Sequence, residues 1–474
     1  MEITPIGWAM LPLGFSLYWL APEYLYVLMV FFLPFSATAI VNIGSPDSAS
    51  GVQASMLFGS LWMLKELPAL GQKSLHPYWR NLRTPVRQLN LFTLVAIISL
   101  FMPLWINGHV VIESADLGDS GSAPLQFAGT HITQTIYLIY GVVLAILVAL
   151  KNSQLPQLIR SIRIFLISAI FVSLWGVFQL LCWSFNVDYP AYLFNTSSTE
   201  SSQGYTQIIQ EAGLKRISSV ATEPSMFAQS MLIAAVIALF ALLSPQPLIS
   251  KTWDRLAVGI IIGGLLISTS TTAYVGLVGV LGLYGLGLMH LRIRRGQYLL
   301  FLLLFVGLLF YAYSGFTPAQ DLFESMILGK GESYSALARL NSVLLARDYF
   351  LQYPILGLGW GSVTSSDLIF KLLSNTGLAG LLVFSMFVAT ASVRLWRASR
   401  TAPSIAADKR LWPVCLLAAL AMLIFTNLAG GFAFTYGHLW FVFGLAMCVP
   451  TLNYKATNAS SGLTNLCPQT GVVG

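Results

Sequence analysis

Charge is what this chain has least of. Only 9% of its 474 residues are Asp, Glu, Lys or Arg, against 56% hydrophobic, and mean hydropathy is +0.74. So few charges cannot cover a soluble domain of this size. The composition excludes a soluble enzyme and implies a polytopic membrane protein. Cysteine is scarce too. Cys182, Cys415, Cys448 and Cys467 show no metal-ligand spacing, and three of them lie in or next to apolar segments, as small buried hydrophobes do. The first apolar stretch follows Glu2 rather than a basic segment, so no cleavable signal peptide is expected. No internal repeat is visible. The net charge of +7 does not point to nucleic acid. It comes mostly from short basic loops between apolar segments, which report orientation.

What is present in quantity is apolar sequence. A crossing needs about 20 residues and, in lipid, must satisfy its own backbone, so the spans are helices. The expected fold is all-α: one integral-membrane domain over residues 1–474 with about 12–13 transmembrane helices. Trp8–Leu20 is short, ended by Pro22 and Glu23; it crosses with a tilt or lies at the interface. Tyr24–Ile43 and Gly51–Leu70 read as spans. The next loop holds Lys73, Arg80, Arg83 and Arg87 and no acid, the strongest cytoplasmic marker in the chain. Leu91–Ile106 then crosses outward. The loop Asn107–Gln134 carries Glu113, Asp116 and Asp119 without Lys or Arg, which suits the outside. His109 and His131 near its ends lack ligand spacing, so a solvated cap is preferred to a metal site.

Ile136–Leu150, Ile164–Phe185 and Ser225–Leu243 follow as spans. Leu256–His290 is too long for one helix and is divided at Ser268-Thr269-Ser270-Thr271-Thr272. Two readings stay open there: a hairpin turning at the hydroxyl run, or hydroxyls that only pack helices together. Tyr298–Tyr313, Ile369–Val393, Leu411–Thr426 and Phe432–Pro450 complete the set, with Arg394, Arg397, Arg400, Lys409 and Arg410 marking a cytoplasmic loop. Two large outer loops result, 186–224 and 314–367, and the polar tail 451–474 is assigned to the cytoplasm.

The outer loops hold the candidate chemistry. Within Gly329–Gly361, Leu337, Leu340, Leu344 and Leu351 recur near helical spacing, while Arg339, Asn341, Arg347 and Asp348 make a polar side. Pro354 stops this amphipathic helix, and Gly357, Gly359 and Gly361 turn the chain into the next span. The first loop ends in Lys215, Arg216, Glu223, Pro224 and Ser225. Arginine's rigid fork suits phosphate oxygens. Arg216, Arg339 and Arg347 are therefore candidates to clamp a lipid-linked pyrophosphate whose charge grows as a sugar leaves. Glu223 beside them suits a general base. The competing reading is that these arginines bind lipid headgroups or pair with acids such as Glu211, Glu332 or Asp348. Lys371, near Asp367 at the head of the next span, is expected to snorkel to the interface. Asn427, Tyr436 and His438 fall near the outer ends of the last hairpin. His438 has two readings, a packing residue on an apolar helix and a substrate contact.

Three motifs carry a family resemblance. RISSVATEPSMFAQS resembles an outer-loop arginine followed by an acidic-Pro-Ser turn that opens a span. LLISTSTTAYVGLVG resembles an apolar segment broken by Ser/Thr. ARLNSVLLARDYFLQYPILGLGWGSV, followed by SNTGLAGLLVF, resembles a large outer loop of arginine, helix, Pro and GxG turn. Together, over Arg216–Phe384, the chain resembles the integral-membrane O-antigen and exopolysaccharide polymerases, related to the O-antigen ligases. The resemblance implies a GT-C-like glycosyltransferase of the bacterial inner membrane with its active site facing the periplasm, and neither metal nor cofactor. It implies transfer of a growing glycan from undecaprenyl pyrophosphate onto a lipid-linked repeat unit. Glu223, Arg216 and Arg339 would be catalytic, and Lys215, Asn341, Arg347 and His438 would join the two arginines in holding pyrophosphate or glycan. Implied partners are the undecaprenyl-pyrophosphate-linked oligosaccharide, membrane lipids, a chain-length regulator and a flippase. The ligase branch has a His just after the GxG turn; here the region reads SVTSSDLIFKLL, with Ser366 and Asp367, which favours the polymerase. The alternatives are an O-antigen ligase and a lipid-linked-sugar transporter or flippase. Transport is disfavoured because mid-span acids are scarce.

Overall fold

In a membrane protein a helix that is apolar on every side either faces lipid or lies at the centre, and its burial decides which. Pro224–Ala241 is such a helix: all but a few of its side chains are buried. In this computed structural model, which describes residues 2–44, 50–71, 79–113, 121–198, 204–209, 214–292, 296, 334–401, 407–429 and 434–448, it forms the axis of an all-α bundle. The elements in chain order are α1 (Pro5–Leu20), α2 (Glu23–Phe31), α3 (Ala54–Gly71), α4 (Trp79–Ser99), α5 (Phe101–Ile106), α6 (Gly129–Lys151), α7 (Leu155–Ser184), α8 (Ala191–Phe194), α9 (Pro224–Ala241), α10 (Lys251–Ile267) and α11 (Thr271–Leu291). After these come α12 (Tyr334–Gln352), α13 (Leu368–Thr401), α14 (Ala407–Ala429) and α15 (Gly437–Cys448).

Seven of the described helices, α4 with α5, α6, α7, α9, α11, α13 and α14, are long and apolar enough to cross a membrane. The outer surface carries large exposed apolar side chains such as Trp19, Phe101 and Trp105, as a lipid-facing surface does. The chain is an all-α, multi-pass membrane protein. The expected span Tyr298–Tyr313, the loop residues 314–333 and the tail 451–474 lie outside the described residues. Cys182, Cys415 and Cys448 are buried and form no disulfide among the described residues, as their setting in the sequence implies.

The axis helix packs against α7, α10, α11 and α14. Gly276 and Gly287 let α11 approach it closely, because a Cβ at either would run into Leu232 or Phe240 of α9. The hydroxyl run does break the long apolar stretch. α10 ends at Ser268, Thr269 takes a left-handed φ of 47°, and α11 starts after Ser270. Ser268 Oγ donates to the carbonyl of Leu265 at 2.6 Å, so the freed backbone is satisfied as the hairpin reading requires.

Three elements differ from the sequence reading. Tyr24–Ile43 is not one span: α2 ends at Phe31, turns follow around Pro34, and Ala39–Ile43 becomes a strand. That strand, β2, pairs antiparallel with β1 (Glu2–Ile3) on one side and β3 (Ser50–Gln53) on the other. Proline interrupts the helix ladder, and the β-branched run Ile40-Val41 favours the strand. Gly51–Leu70 accordingly starts as strand and turns helical at Ala54. The third difference is α4, which starts at Trp79, inside the stretch assigned to a basic loop. Leu82, Val86 and Leu89 recur at one face and are buried there, so the arginines ride the opposite face of a helix that is already formed.

The bundle has two chemically different ends. One is rich in Lys and Arg at the ends of α4, α6, α7, α10, α11, α13 and α14. There Lys151 pairs with Glu66 at 3.4 Å, Arg394 donates to the carbonyl of Asn81, and His290 and Arg410 converge on Ser399. The opposite end holds the three-stranded sheet, the start of α9, all of α12 and the start of α13.

At that end α12 forms as the sequence indicates, but its leucines do not make the buried face. Leu337, Leu340, Leu344 and Leu351 are exposed, and Ser342, Ala346 and Tyr349 are buried instead. Those three contact the chain below through small or hydrogen-bonding groups. Tyr349 Oη donates to the carbonyl of Val111 at 3.2 Å and accepts from the Glu113 amide at 2.9 Å. This seats α12 on the hairpin of β4 (Val111–Glu113) and β5 (Ser122–Pro124). Ser342 Oγ joins it to Ser366 at 3.1 Å.

The glycine turn after Pro354 is fixed from α13. Asn375 Oδ1 accepts from the amides of Gly361 (3.0 Å) and Val363 (3.1 Å), while its Nδ2 donates to the carbonyls of Val363 (2.9 Å) and Lys371 (2.8 Å). Gly377 breaks α13 with φ 62° and ψ −164°, so that the backbone of Ile355 lies against it.

Candidate functional site

The start of α9 is built by a chain segment that arrives from the first loop. β6 (Ile208–Ile209) and β7 (Leu214–Lys215) form a short antiparallel hairpin pairing Ile208 with Lys215. Arg216 follows, donating its amide to the carbonyl of Gln207 at 3.1 Å and its Nη1 to Gln207 Oε1 at 3.2 Å. Ser219 then takes a left-handed φ of 54°, unusual for a residue with a side chain. It is held there from several sides. Its amide donates to Gln179 Oε1 at 2.8 Å and its hydroxyl to the carbonyl of Val172 at 2.7 Å. Its carbonyl accepts from Asn195 Nδ2 at 3.0 Å and Tyr189 Oη at 3.3 Å. Two further ties complete the turn: the Thr222 amide to Ser36 Oγ at 3.2 Å, and the Gly204 amide to the Thr222 carbonyl at 3.0 Å.

Glu223 emerges from this turn as the N-cap of α9, in extended conformation, with Pro224 in the first turn. Pro suits that position because its missing N–H is not needed there. The Glu223 carboxylate caps no backbone amide. Its Oε2 instead accepts from Ser225 Oγ at 2.9 Å and faces Arg339 Nη2 at 3.9 Å. Two loops distant in sequence thus meet at one carboxylate. Arg216 lies within electrostatic reach of both. Burial pushes its guanidinium below the usual range; Glu223 opposes that shift and Arg339 adds to it. Among the described residues the buried Nε of Arg216 has no hydrogen-bond partner, and neither has the buried hydroxyl of Ser218. An unpartnered donor on a buried cation is costly, and its cost is offset when an anion occupies the space beside it.

The last hairpin closes the site from another side. Tyr436 lies beside Thr222. Burial, and next the charge of Glu223, push its phenol up to about 12, with Thr222 pulling the other way. It therefore stays protonated at any working pH. Its ring stacks on His438 at a centroid distance of 5.6 Å. His438 is 5% exposed and meets the site through Tyr436.

The structure thus brings together Arg216, Glu223, Arg339 and, through Tyr436, His438. Lys215 sits beside Arg216 at the end of the hairpin, half-buried, its amine lowered by burial. Asn341 is half-buried on α12, two residues beyond Arg339. Arg347 does not join the group. Two turns along the helix, roughly 12 Å from Arg339 by helical rise, it forms a close pair with Asp348, Nε–Oδ1 2.9 Å and Nη2–Oδ1 2.8 Å. Both side chains are about half exposed. The sequence had offered Asp348 as a partner for such an arginine, and for Arg347 that reading is the one observed.

His131 is a structural residue. The amide of Ala128 donates to its Nδ1 at 3.0 Å, which leaves Nε2 to donate to Ser362 Oγ at 3.0 Å. It ties α6 to the glycine turn. Among the described residues no three His, Cys, Asp or Glu side chains group as metal ligands do. The residues that sequence reasoning passed over are Gln179, Tyr189 and Asn195, which hold the Ser219 turn. A glutamine near the end of an otherwise apolar helix was the available signal. No known protein-family model matches the chain, and no curated protein matches it.

Proposed function

We propose that this protein is a membrane glycosyltransferase of the polysaccharide-polymerase type. In this reading a growing glycan moves from undecaprenyl pyrophosphate onto a lipid-linked repeat unit. The observation that carries it is the convergence of Arg216, Glu223 and Arg339 at the head of the axis helix, with a buried guanidinium nitrogen left unpartnered among the described residues. Helix N-termini and arginine forks both favour phosphate oxygens. The basic opposite end supports an orientation with that end in the cytoplasm, and so supports the reading of a site that faces the periplasm from an inner membrane.

The chemistry assigns each group a role. The bond between the donor sugar's C1 and the pyrophosphate oxygen breaks, and its electron pair leaves with the pyrophosphate. Arg216 and Arg339 stabilise that growing charge. A new bond forms from C1 to an acceptor hydroxyl oxygen, whose proton passes to Glu223. Lys215 and Asn341 flank the phosphate and glycan path. Arg347 stays outside it.

Reconstitution tests the reading. Purified protein with a lipid-linked oligosaccharide, and no other enzyme, is expected to yield a ladder of products on a gel. Product formed only when a lipid A core acceptor is supplied would make the protein a ligase. Movement of the lipid-linked unit across the bilayer without any new glycosidic bond would make it a transporter.

A further inference from the structure

We infer that the Glu223 carboxylate stands in for the substrate's phosphate while the site is empty and gives up that position when a phosphate arrives. This rests on the anion-site reading above and adds an order of events to it.

The donors around Glu223 exceed what one carboxylate can use. Its Oε2 takes the Ser225 hydroxyl at a normal 2.9 Å, but Arg339 stands off at 3.9 Å, beyond hydrogen-bond length. Arg216 senses the charges of both groups, yet its Nε donates to no group among the described residues. The carboxylate caps no amide of α9 although it occupies the N-cap, where the helix favours negative charge. Two guanidiniums, a hydroxyl and a helix end therefore surround a single carboxylate whose one hydrogen bond among the described residues comes from Ser225. A pyrophosphate carries more charge and more acceptor oxygens. It can fill the Arg216 Nε and draw Arg339 to bonding distance, which the carboxylate does not.

Displacement has a chemical consequence. Once phosphate holds the arginines it compensates their charge, and Glu223, still accepting from Ser225, becomes the better acceptor for a hydroxyl proton. The base then becomes available only after the donor has bound. In the empty site both guanidiniums face Glu223 with no phosphate to compensate them, and that positive charge disfavours proton transfer from a hydroxyl to the carboxylate.

The test titrates inorganic pyrophosphate into the full-length protein in nanodiscs, by calorimetry in magnesium-free buffer. Glu223→Gln and Glu223→Ala are both expected to bind roughly tenfold tighter than wild type, a change of about 1.4 kcal/mol, because the competing charge is gone. Since the side chain caps no backbone amide, both variants are expected to fold. Adding Arg216→Gln to Glu223→Gln should abolish the gain, locating the anion. Unchanged or weaker binding in both Glu223 variants, with wild type binding and Arg216→Gln weakened, overturns the stand-in role and leaves the arginine site standing. No pyrophosphate binding by wild type or variants overturns the stand-in role and the anion site together.

Discussion

Replacing Arg216 or Arg339 with alanine is expected to slow chain extension by about 10²–10³-fold, the scale of losing a donor aimed at developing charge. Protein yield should stay near wild type, because neither side chain supports the core. Arg216 keeps its backbone bond to Gln207 whatever its side chain, and among the described residues the Arg339 side chain makes only a long pair with Glu223. Arg216→Lys should recover little: lysine brings one point charge where the site presents a fork and an unpartnered Nε. The internal control is Arg347→Ala. All three arginines look equivalent in the sequence, but Arg347 is satisfied by Asp348 and half exposed. Its removal should change the rate within about fivefold, the range of an exposed pair. Product ladders from reconstituted variants, quantified against protein amount, check all of these. Equal loss at all three positions would mean that α12 contributes charge along its length rather than at one point.

Gly377→Ala is expected to lose roughly 3–5 kcal/mol of stability, combining a backbone region open essentially to glycine with overpacking against a fixed neighbour. Its φ of 62° with ψ of −164° lies in that region. An added Cβ would also overlap the backbone of Ile355, which cannot rotate away as a side chain can. The amides of Leu378 and Ala379 donate to the carbonyls of Pro354 and Ile355 at 2.8 and 3.3 Å, so the damage would pass directly to the end of α12. The matched control is Gly259→Ala in α10. A Cβ there meets nothing within 4 Å, and helix propensity should leave it neutral or slightly stabilised, by up to about 1 kcal/mol. Thermal unfolding in detergent distinguishes the two. Wild-type stability for Gly377→Ala would mean that the break in α13 is not required.

Local signals in the sequence carried far in some places and failed in others for one physical reason. Pro354 and the three glycines announce the end of α12 because each acts on its own backbone, and the hydroxyl run at Ser268–Thr272 does the same for α10. The β2 strand was read as part of a span because its stabilisation is nonlocal. Asn42 pairs with Glu2 on one side and Gly51 on the other, partners that no window on Tyr24–Ile43 contains. The leucines of α12 misled in a similar way. Their spacing is helical, but which face is buried depends on what Ser342, Ala346 and Tyr349 meet on other elements. The arginines and Glu223 were legible as residue types suited to phosphate. That Arg339 reaches Glu223 while Arg347 turns to Asp348 depends on the register of a helix more than a hundred residues away in the chain. The Gln179, Tyr189 and Asn195 ties that hold the Ser219 turn are likewise long-range, and a residue's own neighbours do not disclose them.

The most direct test of the central claim is an experimental structure of the protein with a lipid-linked pyrophosphate bound. The account predicts phosphate oxygens about 2.7–3.1 Å from Arg216 Nε and from an Arg339 terminal nitrogen, at the head of α9, with the Glu223 carboxylate moved off Arg339. Pyrophosphate bound at the basic end of the bundle, or against Arg347 with Arg216 Nε still unpartnered, would contradict it.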